Sequence, residues 1–178
     1  MLEFMKGLIF FFINNMLNHI PSRKVRAFFY YYLSGKKISK NCSIGLGVRF
    51  LDIRNVSIGS GTNINFDCII DGRGASIKIG SNVDIAPQVN IWSLEHNAKK
   101  SNHETLAGTV IIEDGCWLAN RVIVLPKTHL KRNTVVGAGG VVKGNYPESV
   151  LLIGQKVKIH SNTFLEEREL LKEIRAFR

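Results

Sequence analysis

The chain contains little cysteine and lacks any long apolar run. Its 178 residues include three cysteines, and in a chain without a recognisable export signal so few thiols favour a reducing compartment such as the cytoplasm. The apolar stretch at residues 8–13 is too short to cross a bilayer. No small-residue cleavage site follows it, so a signal peptide is not expected. A disulfide-stabilised secreted domain and a membrane-spanning protein are both disfavoured.

Acidic residues are also scarce. The chain has 14 Asp and Glu against 24 Lys and Arg, which gives a formal net charge of +10. No acidic residue occurs between Phe4 and Leu51, and residues 127–158 contain a single one, Glu148. We interpret the two basic regions as two functional surfaces, or as one functional surface and one solvated face. Nucleic-acid binding is not expected, because no motif supports it.

The dominant feature of the chain is a repeat of six residues. Neither an α-helix, with 3.6 residues per turn, nor a half-buried strand, with a period of two, produces this spacing. It predicts a parallel β-helix in which each hexad supplies one short strand and one corner, and three hexads per turn predict about five coils. The fifteen apolar positions are Ile38, Ile44, Phe50, Ile58, Ile64, Ile70, Ile79, Ile85, Ile91, Ile112, Leu118, Val124, Leu130, Val136 and Val142.

Two other positions of the hexad carry small side chains. Four residues after the apolar position the chain often places Cys, Val, Thr or Gly, and Cys42, Cys68 and Cys116 all fall here. We expect these three thiols to be buried packing residues rather than nucleophiles or metal ligands. One residue after the apolar position, Gly, Ala, Asn and Asp are common. These residue types predict tight corners or left-handed backbone at that position.

The repeat resembles that of the hexapeptide-repeat acyltransferases, whose fold is all-β, a left-handed parallel β-helix. The resemblance covers about residues 38–160. It is carried by the repeat, by "IGSNVDIAPQVNI" and by "VIIEDGCWLANRVIVLPKTHLKRNTVVGAGGVVK". It implies an enzyme that uses acetyl-CoA and forms a homotrimer, with a β-helix domain at 38–160 between helical segments at 1–37 and 161–178.

Residues 1–35 do not follow the repeat. Apolar residues from Leu2 to Leu17 follow helical spacing, Pro21 predicts a break, and an aromatic stretch runs from Phe28 to Tyr32. One interpretation is a helical cap over the open end of the β-helix, since unpaired edge strands need cover. The other is an in-plane membrane helix whose neighbouring lysines and arginines meet anionic lipid. The two interpretations are compatible.

The longest break in the repeat runs from Trp92 to Val110. This segment is polar and must project from the β-helix as a loop. Long loops in compact domains are usually functional or disordered. A shorter interruption of the six-residue spacing, at 71–76, predicts a bulge at a corner of the β-helix. Near the end of the chain, residues 151–160 are predicted to form a last strand, and Thr163 and Glu166 form a capping box that opens a C-terminal helix.

Acetyl transfer from a thioester needs a base that removes the proton of the acceptor, and histidine titrates in the required range. Two of the five histidines, His96 and His103, lie in the long break. In the sugar acetyltransferases that the chain resembles, the catalytic histidine follows the alanine of "I-A-P-x-V" by ten residues. That alanine is Ala86 here, so the resemblance implies that His96 is the general base.

The resemblance also implies an acceptor site. Similar enzymes place an asparagine before a phenylalanine where it hydrogen-bonds the acceptor sugar, and Asn65 occupies that place in "NINFD". A corner asparagine without this role is the alternative. Asp67, Asp84 and His103 are further candidates for substrate binding.

The coenzyme site implied by the resemblance combines small corner residues with cations. Small residues let the pantetheine arm reach main-chain amides, and cations are needed for the phosphates. Since Ala119 and Ala138 are 19 residues apart, they are expected to lie nearly stacked. The implied coenzyme-binding residues are Trp117, Ala119, Asn120, Ala138, Gly139, Lys143 and Lys158.

Three residues depart from the family's pattern, and they concern the nucleotide end of the coenzyme. Lys127 replaces a glycine, Gly140 replaces a serine and Lys156 replaces a proline.

The expected function is acetyl-CoA-dependent O-acetylation of a sugar hydroxyl of a surface polysaccharide or its precursor. Two alternatives stay open: an N-acetyltransferase acting on an amino sugar nucleotide, and a noncatalytic β-helix scaffold. A three-histidine zinc site, which occurs on the same fold, is disfavoured because His96, His103 and His129 do not have the ligand spacing. The expected location is the cytoplasm, with peripheral contact to the inner membrane face through residues 1–35 left open.

Overall fold

The computed structural model describes residues 2–97, 101–154 and 158–161. Two helices, α1 (Leu2–Phe11) and α2 (Arg23–Leu33), are separated by a π-helical turn (Phe12–Met16) and a 3₁₀ turn (Leu17–His19), and a second 3₁₀ turn spans Ile53–Asn55. The strands of the described residues, in chain order, are β1 Ser43–Ile44, β2 Arg49–Phe50, β3 Val56–Ile58, β4 Asn63–Ile64, β5 Ile69–Asp71, β6 Ile77–Ile79, β7 Asp84–Ile85, β8 Asn90–Trp92, β9 Leu94–His96, β10 Thr105–Ala107, β11 Val110–Ile112, β12 Trp117–Leu118, β13 Ile123–Val124, β14 His129–Leu130, β15 Val135–Val136, β16 Val141–Val142, β17 Asn145–Tyr146, β18 Leu151–Ile153 and β19 Lys158–Ser161.

Consecutive strands of the chain belong to different sheets. The first sheet has the order β1-β4-β7-β12-β15-β18-β19, the second β2-β5-β8-β13-β16 and the third β3-β6-β11-β14-β17. Neighbours in these sheets are parallel, except that β19 runs antiparallel to β18. A chain that visits three sheets in turn and returns beside its earlier strand forms a parallel β-helix. The parallel β-helix predicted from the repeat is confirmed.

The fifteen apolar positions of the repeat form the interior. None of their side chains is more than 4% exposed. In most hexads a two-residue strand and a four-residue corner add up to six residues, so the same position turns inward on every wall. Removing these aliphatic side chains from water drives the stacking of the coils.

The corners define three edges of the prism, named here in chain order. The first edge joins the first sheet to the second (45–48, 65–68, 86–89, 119–122, 137–140), and the third edge joins the third sheet to the first (59–62, 80–83, 113–116, 131–134, 147–150). All ten of these corners have four residues. The second edge joins the second sheet to the third, and its corners are 51–55, 72–76, 93–109, 125–128 and 143–144. Every interruption of the six-residue repeat therefore lies at the second edge.

Left-handed backbone occurs at the third residue of the four-residue corners, not at the first. Asp67, Gln88 and Arg121 have φ of 59°, 62° and 60°, and each lies three residues after an apolar position. Of the two features expected for the residue directly after the apolar position, the tight corner is observed and the left-handed backbone is not. Glycine at that position has another cause, since a Cβ at Gly59 would lie 2.6 Å from the backbone of Gly80 in the next coil.

The three cysteines are buried thiols, as predicted, and no disulfide joins them. Burial raises the pKa of Cys42 to about 12 and that of Cys68 to about 11. Thiols held neutral at physiological pH are poor nucleophiles and poor metal ligands. They act as packing residues of the prism walls.

The N-terminal segment closes the open end of the β-helix. The buried side chain of Asn14 accepts a hydrogen bond from the Phe50 N–H at 2.8 Å and donates one to the Phe50 carbonyl at 3.0 Å. The Asn18 carbonyl accepts the Gly47 N–H at 3.0 Å, and Arg26 donates to the Ile44 carbonyl. These contacts satisfy the outer edge of the first and second sheets, which would otherwise be unpaired. The N-terminal segment therefore covers the end of the first coil.

The outer surface of the cap is apolar. Phe4, Leu8 and Phe11 on α1 and Phe28 and Tyr32 on α2 are 47–70% exposed. No helix among the described residues is long and apolar enough to span a bilayer. The predicted C-terminal helix at 161–178 lies, from residue 162 onward, outside the described residues.

Candidate active site

The long insertion at the second edge is a β-hairpin rather than an irregular loop. Strands β9 and β10 pair antiparallel, with His96 opposite Thr105 and Leu94 opposite Ala107. The insertion leaves the prism as predicted, between β8 and β11. Pairing between its two strands gives the histidine at its end a defined position.

His96 has an exposed imidazole whose orientation is set by one hydrogen bond. Its Nδ1 lies 2.8 Å from the main-chain oxygen of His103. A carbonyl oxygen can only accept, so Nδ1 carries the hydrogen and the neutral ring has its lone pair on Nε2. The main-chain oxygen of His103 is therefore the partner that orients the His96 ring. An imidazole in this tautomer can accept a proton at Nε2.

Lys143 lies beside the same hairpin. Its Nζ is 2.6 Å and 2.8 Å from the two carboxylate oxygens of Glu95, the residue before His96. This ion pair links the hairpin to the end of β16. Among the predicted coenzyme residues, Lys143 is therefore at the second edge, away from the others.

The first edge collects the remaining corner residues. Leu118 lies opposite Val136, so Ala119 lies beside Gly137 and Asn120 beside Ala138. The Gly139 N–H donates to the Asn120 carbonyl at 2.9 Å. The two alanines are thus in adjacent coils with an offset of one residue. Trp117 lies two residues before this edge on the first sheet, with its side chain 39% exposed.

The predicted acceptor residues divide between the same edge and the adjoining face. Asn65 is half-buried, and its Nδ2 donates to the Ile85 carbonyl at 3.3 Å. Asp67 is exposed in the same corner and packs on Gly47. Asp84 lies on the first sheet and accepts a hydrogen bond from Asn63 at 3.0 Å. His103, by contrast, lies on the hairpin and contacts His96 through its main chain.

Within one chain the residues of the hairpin and the residues of the first edge do not meet. The hairpin with His96 leaves the second edge, whereas Asn65, Ala119 and Ala138 lie on the first, and the second sheet separates the two edges. Lys158, in β19, has Ile153 as its register partner, which places its backbone beside the first edge.

Two further points concern His129 and the possibility of a metal site. His129 lies on the third sheet, with Nε2 2.6 Å from Glu113, so it pairs with a carboxylate away from the hairpin. Among the described residues no cluster of three or more His, Cys, Asp or Glu side chains could hold a metal ion.

The chain is similar in sequence to proteins named as acetyltransferases. It is 32% identical over 119 residues to a galactoside O-acetyltransferase of Lactococcus lactis, covering 62% of this chain and 56% of that protein. It is 30% identical over 123 residues to the putative colanic acid biosynthesis acetyltransferase WcaF of Escherichia coli, covering 68% of this chain and 66% of that protein. The chain spans about half the length of several of the curated relatives that it matches.

Among solved structures, the fold is similar to that of a hexapeptide-repeat-containing acetyltransferase, VCA0836, of Vibrio cholerae, crystallised with acetyl coenzyme A. The TM-score is 0.75 at 24% identity, and the alignment covers 87% of this chain and 83% of that chain. At this identity the likeness shows the shared fold. No family model matches the chain.

Proposed function

The chain belongs to the hexapeptide-repeat acyltransferase family, and from this membership we propose that it is an acetyl-CoA-dependent O-acetyltransferase acting on a sugar hydroxyl. The observation that carries the proposal is the exposed imidazole of His96, whose Nδ1 is held by the His103 carbonyl and whose Nε2 is not needed for that hydrogen bond. A base oriented in this way suits the deprotonation of a hydroxyl near neutral pH.

In the proposed mechanism transfer is direct. His96 Nε2 removes the hydroxyl proton while the acceptor oxygen attacks the thioester carbonyl carbon. Backbone N–H groups at the base of the hairpin or on the facing coil stabilise the oxyanion that forms. The C–S bond then breaks, the proton passes from His96 to the sulfur, and the products are the acetyl ester and the free thiol of the coenzyme.

For acetyl-CoA we propose a site along the first edge. Ala119, Asn120, Ala138 and Gly139 lie in adjacent coils there, and small residues let an extended pantetheine arm approach main-chain N–H groups. Trp117 presents an exposed ring beside them. The site is supported by the similar Vibrio structure, which was crystallised with acetyl coenzyme A. Lys158 and Lys143 are proposed to neutralise the phosphates of the coenzyme. In this proposal Lys143 comes from the second edge of a neighbouring chain.

For the acceptor we propose a sugar of a surface polysaccharide or its precursor. Asn65 and Asp67 present an amide and a carboxylate in one corner, as hydrogen-bond partners for sugar hydroxyls, and Asp84 lies nearby on the first sheet. The names of the similar proteins, which refer to galactoside and to colanic acid, support this substrate class.

We infer that the protein is a homotrimer. A complete site needs the hairpin at the second edge and the corner residues at the first edge, and one chain keeps these apart. Three chains packed side by side bring the second edge of one beside the first edge of the next. We further infer a left-handed β-helix of about five coils at 38–160, with residues 1–37 as its helical cap.

We also infer a cytoplasmic location with peripheral contact to an anionic membrane through the cap. The cap combines exposed aromatic and aliphatic side chains on α1 and α2 with the exposed cations Lys24, Lys36 and Lys40. This combination favours the interface of an anionic bilayer. Wild-type protein should float with vesicles containing phosphatidylglycerol, and F4S/F11S should remain in solution. Equal flotation of both proteins, or none with wild type, would contradict the inference.

The proposed activity is tested by thiol release from acetyl-CoA in the presence of a panel of oligosaccharides and amino sugar nucleotides. We expect release that depends on one class of glycan, with an acetyl group that mild alkali removes from the product. An alkali-stable product would identify an N-acetyltransferase instead. No glycan-dependent release with any acceptor would favour a noncatalytic scaffold.

A further inference from the structure

A groove of about 1130 Å³ lies between the cap and the first coil. It runs from the start of α2, past β1, to the first edge. Arg23, Lys24, Arg26 and Lys40 line it, together with Phe28 and other apolar residues. It belongs neither to the hairpin nor to the proposed coenzyme residues.

The charge of this groove is of one sign. Four of its lining residues are cations, and none of the described residues that line it is acidic. Arg26 is buried, at 1% exposure, and its guanidinium donates to the main-chain carbonyls of Ile20 and Ile44. Burial, with the nearby charge of Arg23, lowers the pKa of Arg26, and Tyr30 partly offsets this effect. Among the described residues, the hydrogen bonds of this guanidinium go to main-chain carbonyls, and an anion placed in the basic groove would stabilise its buried charge.

The exposed lysines are positioned to complete such a site. Lys24 lies in the first turn of α2 and Lys40 lies between α2 and β1. Both are exposed, and both line the groove. The Lys40 ammonium lies 4.3 Å from the centre of the Tyr31 ring, a cation–π contact that holds it near the helix. Ammonium and guanidinium groups together are the usual partners of phosphate oxygens.

The groove ends at the proposed acceptor corner. Leu46 and Phe66, both exposed, line it on this side, and the Asp67 N–H donates to the Leu46 carbonyl at 3.0 Å. A Cβ at Gly45 would lie 2.6 Å from the backbone of Asn65 and Phe66. Adjacent coils are separated by about 4.8 Å, so the end of the groove at Gly45 lies one coil spacing from Asn65.

We propose that this groove binds the phosphate or diphosphate of a phosphate-linked sugar, and that it presents the sugar to the corner of Asn65. The inference rests on the proposed function only for the role of that sugar as the acetyl acceptor. The phosphate could be attached to a nucleoside or to a polyprenyl lipid, and the chemistry that the groove recognises is the same in both.

Binding is tested by calorimetric titration with inorganic pyrophosphate, in the presence of saturating coenzyme A so that the coenzyme site is filled. We expect wild-type protein to bind, and K24A/K40A to bind at least about tenfold more weakly, the loss expected for one charge-assisted hydrogen bond. K78A removes an exposed lysine from the third sheet, outside the groove, and should bind as wild type does. Equal affinity of K24A/K40A and wild type would overturn the proposal, as would an equal loss in K78A.

Acetylation assays then distinguish the source of the phosphate. The acceptors are one free sugar, the same sugar as its uridine diphosphate conjugate, and the same sugar on a short-chain prenyl diphosphate. We expect a lower KM for at least one phosphate-linked form than for the free sugar, and loss of that advantage in K24A/K40A. Equal KM values for all three acceptors would overturn the inference and leave the proposed function standing. If none of the three is acetylated, the proposed function fails, and the pyrophosphate titration still decides whether the groove binds phosphate.

Discussion

Replacing His96 with alanine should lower the rate of acetyl transfer at least about a hundredfold, the usual contribution of a general base. The exposed imidazole accepts the hydroxyl proton in the proposed mechanism, and no other described histidine lies on the hairpin except His103, whose main-chain carbonyl orients the ring. The measurement is the rate of acetyl-CoA-dependent thiol release at saturating acceptor. Binding of acetyl-CoA, measured by calorimetry, should be unchanged, because the substitution leaves the first-edge residues and the Lys143–Glu95 ion pair in place.

The matched variant H96N separates a chemical role from a structural one. An asparagine amide can still donate to the His103 carbonyl but cannot act as a base near neutral pH. We expect H96N to be as inactive as H96A. Substantial turnover in H96N would mean that His96 holds the hairpin in place and that another group takes the proton.

Replacing Asn14 with alanine should destabilise the fold by at least about 2 kcal/mol. The side chain bonds both the N–H and the carbonyl of Phe50, and each buried backbone group left without a partner costs about 1–3 kcal/mol. The effect should appear as a lower midpoint of urea unfolding with little change in slope. The substitution removes contacts of the cap and none at the proposed active site. Acetyl-transfer activity should therefore persist at urea concentrations below the unfolding transition.

Asn15 provides the control, because it is the same residue type one position along the same segment. It is exposed, and among the described residues its side chain donates to the nearby Phe11 carbonyl alone. N15A should change the free energy of unfolding by less than about 0.5 kcal/mol, as is usual for surface positions. Equal destabilisation by N14A and N15A would indicate that helix propensity rather than edge pairing holds the cap.

Much of the fold could be predicted because a β-helix is built from local repeats. Ile44 and Val136 are in different coils, yet each occupies the same position of a hexad and each is fully buried. The location of the hairpin followed from the gap in the repeat, and the packing role of Cys68 from its place in the hexad. The assignment of His96 as the base stays a prediction, now with a defined tautomer.

For the residue after the apolar position the sequence left a tight corner and a left-handed backbone open, for a physical reason. Glycine and asparagine suit both a positive φ and a close approach between backbones, so composition alone does not tell one from the other. The stacking of coils decided that Gly59 meets the backbone of Gly80 and that Asp67 takes the left-handed φ.

The sequence by itself determined the β-helix, its interior and the segments that depart from it, because a six-residue period places every sixth side chain on the same wall. Only the tertiary structure decided that all interruptions lie at one edge, and that His96 and Asn65 are on different edges. It also decided that Asn14 pairs with Phe50 and that Arg23, Lys24 and Lys40 share one groove with a buried arginine. These contacts join residues with no common period, and their distances depend on how the cap packs against the first coil.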